Sequence, residues 1–211
     1  ARVPNEPGNF LIKPADYMFD EVTASSLIKY DFKGDPQQNG HPKLRGGGLI
    51  IHAGLFEART DLNVIFHTHT PAIIGVGSQK SGLLPINQHG IRFIGELAYH
   101  EFGGFEFDMA MRAPLVDDLG DKNIALLRNH GSLVCGPTVG AAFVAHHNLE
   151  FACQAQLAAM SGGSELVLIS EDVQQYVEQQ RSNNKDRLDG GGKDWTSCLR
   201  LANRLFPEFQ E

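Results

Sequence analysis

The sequence predicts an α/β fold, and three observations carry that reading. Two short apolar runs, Val64–Phe66 and Ile124–Leu127, have the length and composition of buried strands. From Val139 to Met160, apolar residues recur at three- and four-residue spacing, the stripe of one long helix. Strand-like and helix-like segments alternate along the rest of the chain, with no internal repeat and no second domain.

In order, Phe10–Lys13 reads as a strand stopped by Pro14, and the stretch 20–26 offers cap residues for a short turn or helix. Leu27–Phe32 alternates, with Ile28, Tyr30 and Phe32 on one face, as a half-buried strand does. A polar loop rich in Gly and Pro runs to Lys43. Gly46, Gly47 and Gly48 then open a helix through Arg59, with His52 one turn in, where it packs or supports other residues. Thr70-Pro71 starts the next helix, with Pro at the first position, where its missing N–H costs little. Leu83–Ile86 and Phe93–Tyr99 read as strands, and Ala113–Gly120 as a short helix ended by Gly. Ser132–Cys135 continues as a strand. The long helix starts at Pro137, carries His146 on its apolar stripe, and stops at Ser161-Gly162-Gly163. Ser170 caps a helix to about Gln180, a Gly-rich connection covers 183–193, and Trp195–Phe206 forms a last amphipathic helix.

Composition narrows the function classes. The chain has 211 residues, enough for one sizeable core. Its net charge of −7 argues against nucleic acid or an anionic membrane as partner. No apolar run approaches the roughly 18 to 20 residues that span a bilayer. Three widely spaced cysteines, Cys135, Cys153 and Cys198, suit reduced thiols in a cytoplasmic protein.

The chemistry sits at the strand ends. Val64–Phe66 delivers His67 and His69, and residues i and i+2 of a strand point to the same face. Ile124–Leu127 leads to Asn129-His130-Gly131, where Gly takes the turn. Three neutral imidazoles there would make an open metal site of the catalytic kind, the alternative being ordinary half-buried or surface histidines. His89, Arg92, Tyr99, His100 and Glu101 form a second titratable cluster.

Five stretches together resemble the class II aldolase and adducin family: His67-Thr68-His69, Asn129-His130-Gly131, the run from Gly82 to Ile86, the run from Gly95 to His100 and the run from Leu149 to Gln156. The last three are most similar to its adducin-like branch, bacterial members included. The resemblance spans roughly residues 8–170. It implies a three-layer α/β/α sandwich with a central, largely antiparallel sheet, in one domain over 1–211 that lacks the family's N-terminal segment. It also implies a divalent metal on His67, His69 and His130, zinc first, with manganese or iron as options because imidazole suits several metals. A cytoplasmic homo-oligomer, dimer or tetramer, with sites near subunit interfaces and a small-molecule substrate, is implied as well.

The resemblance also locates a departure. The aldolase acid/base carboxylate falls on Gly48, and the phosphate-holding serines fall on Gly46 and Gly47. Retro-aldol cleavage needs a base for the hydroxyl proton; decarboxylation needs an acceptor of negative charge and a cation for the carboxylate. The expectation is therefore a metal-dependent carbon–carbon lyase, decarboxylase ahead of aldolase, on a small non-phosphorylated hydroxy- or oxo-acid. Tyr99 and Glu101 are the candidate proton carriers, and Gly47, Gly48, His89 and Arg92 the candidate substrate contacts. The alternatives are a non-catalytic, adducin-like binding module and a non-heme iron oxygenase on the same three histidines.

Overall fold

The computed structural model describes residues 1–184 and 192–211. Two strands, β1 (Asn9–Ile12) and β2 (Ile28–Asp31), form an antiparallel pair with Phe10 opposite Tyr30. A π-helical stretch over Gly48–Ala53 runs directly into α1 (Gly54–Ala58). Then come β3 (Val64–Thr68), α2 (Pro71–Gly77), β4 (Leu97–His100), α3 (Arg112–Leu119), β5 (Ile124–Leu127) and β6 (Gly131–Gly136). The long α4 (Val139–Ser161), α5 (Glu171–Asn183) and α6 (Gly192–Leu205) complete the chain.

The central sheet has the order β3-β6-β5-β4. β6 pairs antiparallel with both β3 and β5, while β4 and β5 run parallel. Its two faces are covered separately, which gives the three layers. Ile65, Ala125, Leu127 and Leu133 point to one face, under Phe10, Tyr30, Ile51, Leu55, Phe56, Leu115 and Leu119 from the β1–β2 pair, the π-stretch, α1 and α3. Phe66, Leu126 and Val134 point to the other, under Ile73 and Val76 of α2 and Leu149, Ala152 and Cys153 of α4. The alternation within each strand is the two-residue period of a pleated sheet.

Local chemistry explains the boundaries. Pro71 opens α2. Gly120, at φ +57°, turns the chain at the end of α3 in a conformation that Gly adopts without strain. Thr138 caps α4 by accepting a hydrogen bond from the Ala141 amide at 3.1 Å. Among the described residues, no helix is long and apolar enough to cross a membrane.

Three expectations need correction. Leu83–Ile86 is not a strand: the Leu84 amide donates to the Gln156 side chain and the Leu83 amide to the Tyr99 hydroxyl, so its backbone is satisfied by side chains. The strand expected over 93–99 begins only at Leu97, because Gly90–Phe93 closes a 3₁₀ turn. On α4, Val139 and Met160 are exposed near the two helix ends, while Gln156 is fully buried. Most of the connection expected over 183–193 lies outside the described residues.

Candidate metal centre

His67 is the fourth residue of β3, opposite Leu133, and Thr68 lies opposite Ser132. His69 follows two residues on. By the strand period both histidines share the face of Ile65, toward the π-stretch and α3. His130 comes from the turn between β5 and β6. Asn129 takes that turn at φ +58°, a region that Asn tolerates better than most residues. Gly131 is required for closeness: a Cβ there would lie 2.2 Å from the Thr68 carbonyl oxygen and 3.0 Å from Cδ2 of His69. Without a side chain, the turn lies flush against the end of β3.

The three imidazoles therefore converge. Their ring centroids are 4.7 to 4.8 Å apart, and the planes cross at 67 to 77°. One nitrogen from each lies within 4.8 Å of the others. The Nδ1 of His67 lies 3.0 Å from the Ser132 carbonyl oxygen, which can only accept; Nδ1 therefore carries the hydrogen, and Nε2 keeps a lone pair. That Nε2 faces the Nε2 of His69 at 2.9 Å. Burial and the neighbouring imidazoles push the His67 pKa down to about 4, leaving the ring neutral. Burial also lowers that of His130, against the opposing pull of Glu106. Imidazoles on crossed rings with converging nitrogens, two of them with pKa values lowered by burial, are what a divalent metal takes as ligands, so the residues fit such an ion.

A small hollow of about 20 Å³ adjoins His130, lined among others by Ile50, Ile51, Glu101, Phe102, Glu106 and Arg128. Gly46, Gly47 and Gly48 lie just before Ile50 in the chain. A Cβ at Gly48 would lie 2.7 Å from Cδ1 of Leu44, so a side chain there requires Leu44 to move. Glu101 is exposed at the hollow, 3.7 Å from Nε of Arg128. Arg128 also donates to the carbonyls of Gln79 and Gly77, at 2.6 and 3.2 Å.

The other expected site residues are not joined to the triad. Tyr99 belongs to the opposite face of the sheet, with Phe66 and Val134. Its hydroxyl accepts from the Leu83 amide at 3.1 Å, and the Arg128 guanidinium lies 4.3 Å from its ring centre. His89 bonds Asn148 of α4 at 2.9 Å. Arg92 lines a cavity of about 690 Å³ with Asp61, Asn123 and Gly136, at the end of the sheet away from the histidines. His52 is half-buried in the π-stretch, its pKa pushed down to about 3 by burial. His146 packs near Phe66 and bonds the Thr68 hydroxyl at 2.5 Å.

Sequence reasoning missed Glu106. Its Oε1 lies 3.3 Å from Nδ1 of His130. It sits in an aperiodic, Gly-rich loop, and the only signal was a carboxylate between two phenylalanines.

Residues 1–157 match the family described as Class II Aldolase and Adducin N-terminal domain. This chain belongs to that family. An aldolase II superfamily protein from Pseudomonas syringae, a solved structure, matches with a TM-score of 0.92 at 40% identity, covering 100% of this chain and 84% of that one. A Caulobacter vibrioides protein named for aldolase class 2 is 35% identical over 212 residues, 100% of this chain and 82% of its own. Rat alpha-adducin is 38% identical over 197 residues, 90% of this chain but 26% of the longer adducin. The class II aldolase and adducin fold expected from the sequence is thus the observed one.

Proposed function

We propose that this class II aldolase/adducin family member is a divalent-metal-dependent carbon–carbon lyase acting on a small, non-phosphorylated hydroxy- or oxo-acid. The carrying observation is the convergence of His67, His69 and His130, with Nε2 of His67 facing Nε2 of His69 at 2.9 Å. They would hold the metal, zinc by preference. Such an ion supplies a Lewis acid that draws off negative charge from a substrate oxygen as a carbon–carbon bond breaks.

The chain's own residues favour decarboxylation over aldol cleavage. Gly48 offers no base for a substrate hydroxyl, and Leu44 fills the space where one would begin. Gly46 and Gly47 offer no hydroxyls to a phosphate. On this reading Glu101, exposed at the hollow beside Arg128, exchanges a proton with a bound acid, and Gly47 and Gly48, which precede Ile50 of the hollow in the chain, are the backbone offered to the substrate. The three cysteines are free thiols, which supports a cytoplasmic setting.

A second reading has its own support. Phe102, Phe105 and Phe107 are exposed in a row beside the triad, and alpha-adducin is among the relatives. On this reading the domain is an assembly module, and in either case a homo-oligomer is expected to cover the row. Elemental analysis of tag-free protein, with a His67→Ala/His130→Ala variant, is the test. About one divalent ion per chain, lost in the variant along with carbon dioxide release from a panel of 3-oxo acids while circular dichroism is unchanged, supports the lyase. A wild type that takes up no zinc, manganese or iron(II) refutes it. If the metal is bound but the variant assembles normally and no acid is turned over, the module is the better account.

A further inference from the structure

We propose that Glu106 is a positioning residue of the metal centre: its carboxylate, set against Nδ1 of His130, orients that ring toward the other two imidazoles. This rests on the metal reading above. The contact itself is 3.3 Å between Oε1 and Nδ1, with both side chains largely shielded. The carboxylate is not in the set of ligand atoms lying within 4.8 Å of one another, so it adjoins the cluster without joining it. His67 has its own partner at the same ring position, a hydrogen bond between its Nδ1 and the Ser132 carbonyl. Nδ1 of two of the three histidines thus has a partner beside it, a hydrogen bond for His67 and a carboxylate contact for His130, the kind of neighbour that fixes tautomer and ring orientation at metal sites.

The loop is built to deliver this group. The Phe107 amide donates to the Phe105 carbonyl at 2.8 Å, a tight turn centred on Glu106. The turn sends the carboxylate inward and the rings outward: the Glu106 side chain is 20% exposed, whereas Phe105 and Phe107 are 75% and 84% exposed. A loop folded for burial alone would do the reverse. Phe102 lies against His130, with 6.1 Å between ring centroids, and the Glu106 carbonyl lies 3.9 Å from where a Cβ on Gly46 would stand. The loop is therefore seated on the centre from one side and on the glycines from the other.

The test is metal affinity of the full chain, measured for zinc by competition with a chromophoric chelator, beside the visible spectrum of the cobalt(II) form. Glu106→Gln should weaken zinc about tenfold and Glu106→Ala up to about a hundredfold. Thermal midpoints and the cobalt spectrum of the Gln variant should match wild type. Glu57→Gln, an exposed carboxylate paired with Arg112, removes the same charge and should change nothing. Equal affinity of Glu106→Gln and wild type overturns the proposal. So does an altered cobalt spectrum, which would make Glu106 a direct ligand. A wild type that binds no metal overturns the lyase reading and this one together, a result distinct from the other two.

Discussion

Gly131→Ala adds one methyl group and attacks the construction of the centre. The new Cβ would stand 2.2 Å from the Thr68 carbonyl oxygen, and carbon atoms essentially never come nearer than 3.0 Å, so something must move by at least 0.8 Å (3.0 − 2.2). The obstacle is backbone, which cannot swing aside like a side chain. Neither strand is free to slide: Gly131 is paired with Leu127, and the next residue, Ser132, is paired with both Leu126 and Thr68. Overpacking of this kind costs about 1–3 kcal/mol, or roughly 3–10 °C of melting temperature for a chain of this size. The shift also separates His130 from His69, and metal–ligand distances tolerate only about 0.2 Å. Zinc affinity should fall by at least about a hundredfold, the upper end of what outer-shell changes produce. Chelator competition and a thermal melt measure the two effects. An alanine variant that melts with wild type and binds zinc equally well would refute the argument that closeness at Gly131 builds the site.

Two further outcomes follow from the same geometry. The folded His67 has a pKa of about 4 against 6.5 for the free side chain. Below pH 6.5 the unfolded chain therefore takes up a proton that the folded one refuses. Stability from this group is complete above 6.5 and is lost as pH falls toward 4, by up to about 3 kcal/mol. Urea unfolding of metal-free protein from pH 7 to 4 should show a flatter profile for His67→Gln; parallel profiles would remove His67 as the cause. Gln156→Leu strips partners from the Leu84 amide and the Gly82 carbonyl, each 2.8 Å from the buried amide group. An unmade buried hydrogen bond costs roughly 1–3 kcal/mol, so the melting point should drop and exchange at the Leu84 amide should accelerate; unchanged protection there would show that Gln156 does not hold this segment.

What could be read from the sequence was periodic. His67 and His69 were assignable to one face because a strand repeats every two residues, and α4 because its apolar positions repeat every three to four. Pro71 and Gly120 mark boundaries through properties of single residues. The misses share a different cause. Tyr99 has the correct strand, but which of its faces coincides with that of His67 depends on register through β5 and β6, with Tyr99 opposite Leu126 and Leu126 opposite Ser132. No local pattern carries that information. The run 83–86 looks like a strand by composition, yet its partner is the side chain of Gln156 on a distant helix. Glu106 depends on a single tight turn whose burial inverts the hydrophobic order of its three residues.

That inversion bears on the choice between lyase and assembly module. An apolar ridge for a partner needs Phe105 and Phe107 outward, but it does not need a shielded carboxylate beside His130. Nor does assembly need imidazoles held neutral by burial, an arrangement that makes the metal-free chain sensitive to acid. A domain used only for contact could replace the three histidines and Glu106 with apolar residues and lose no ridge. A metal would account for the inner face of the 101–108 loop and a partner for its outer face, with one backbone turn at Glu106 serving both. The two readings are therefore separable by face: the inner residues govern metal affinity, the outer ones association, and a lyase that works as an oligomer uses the loop from both sides.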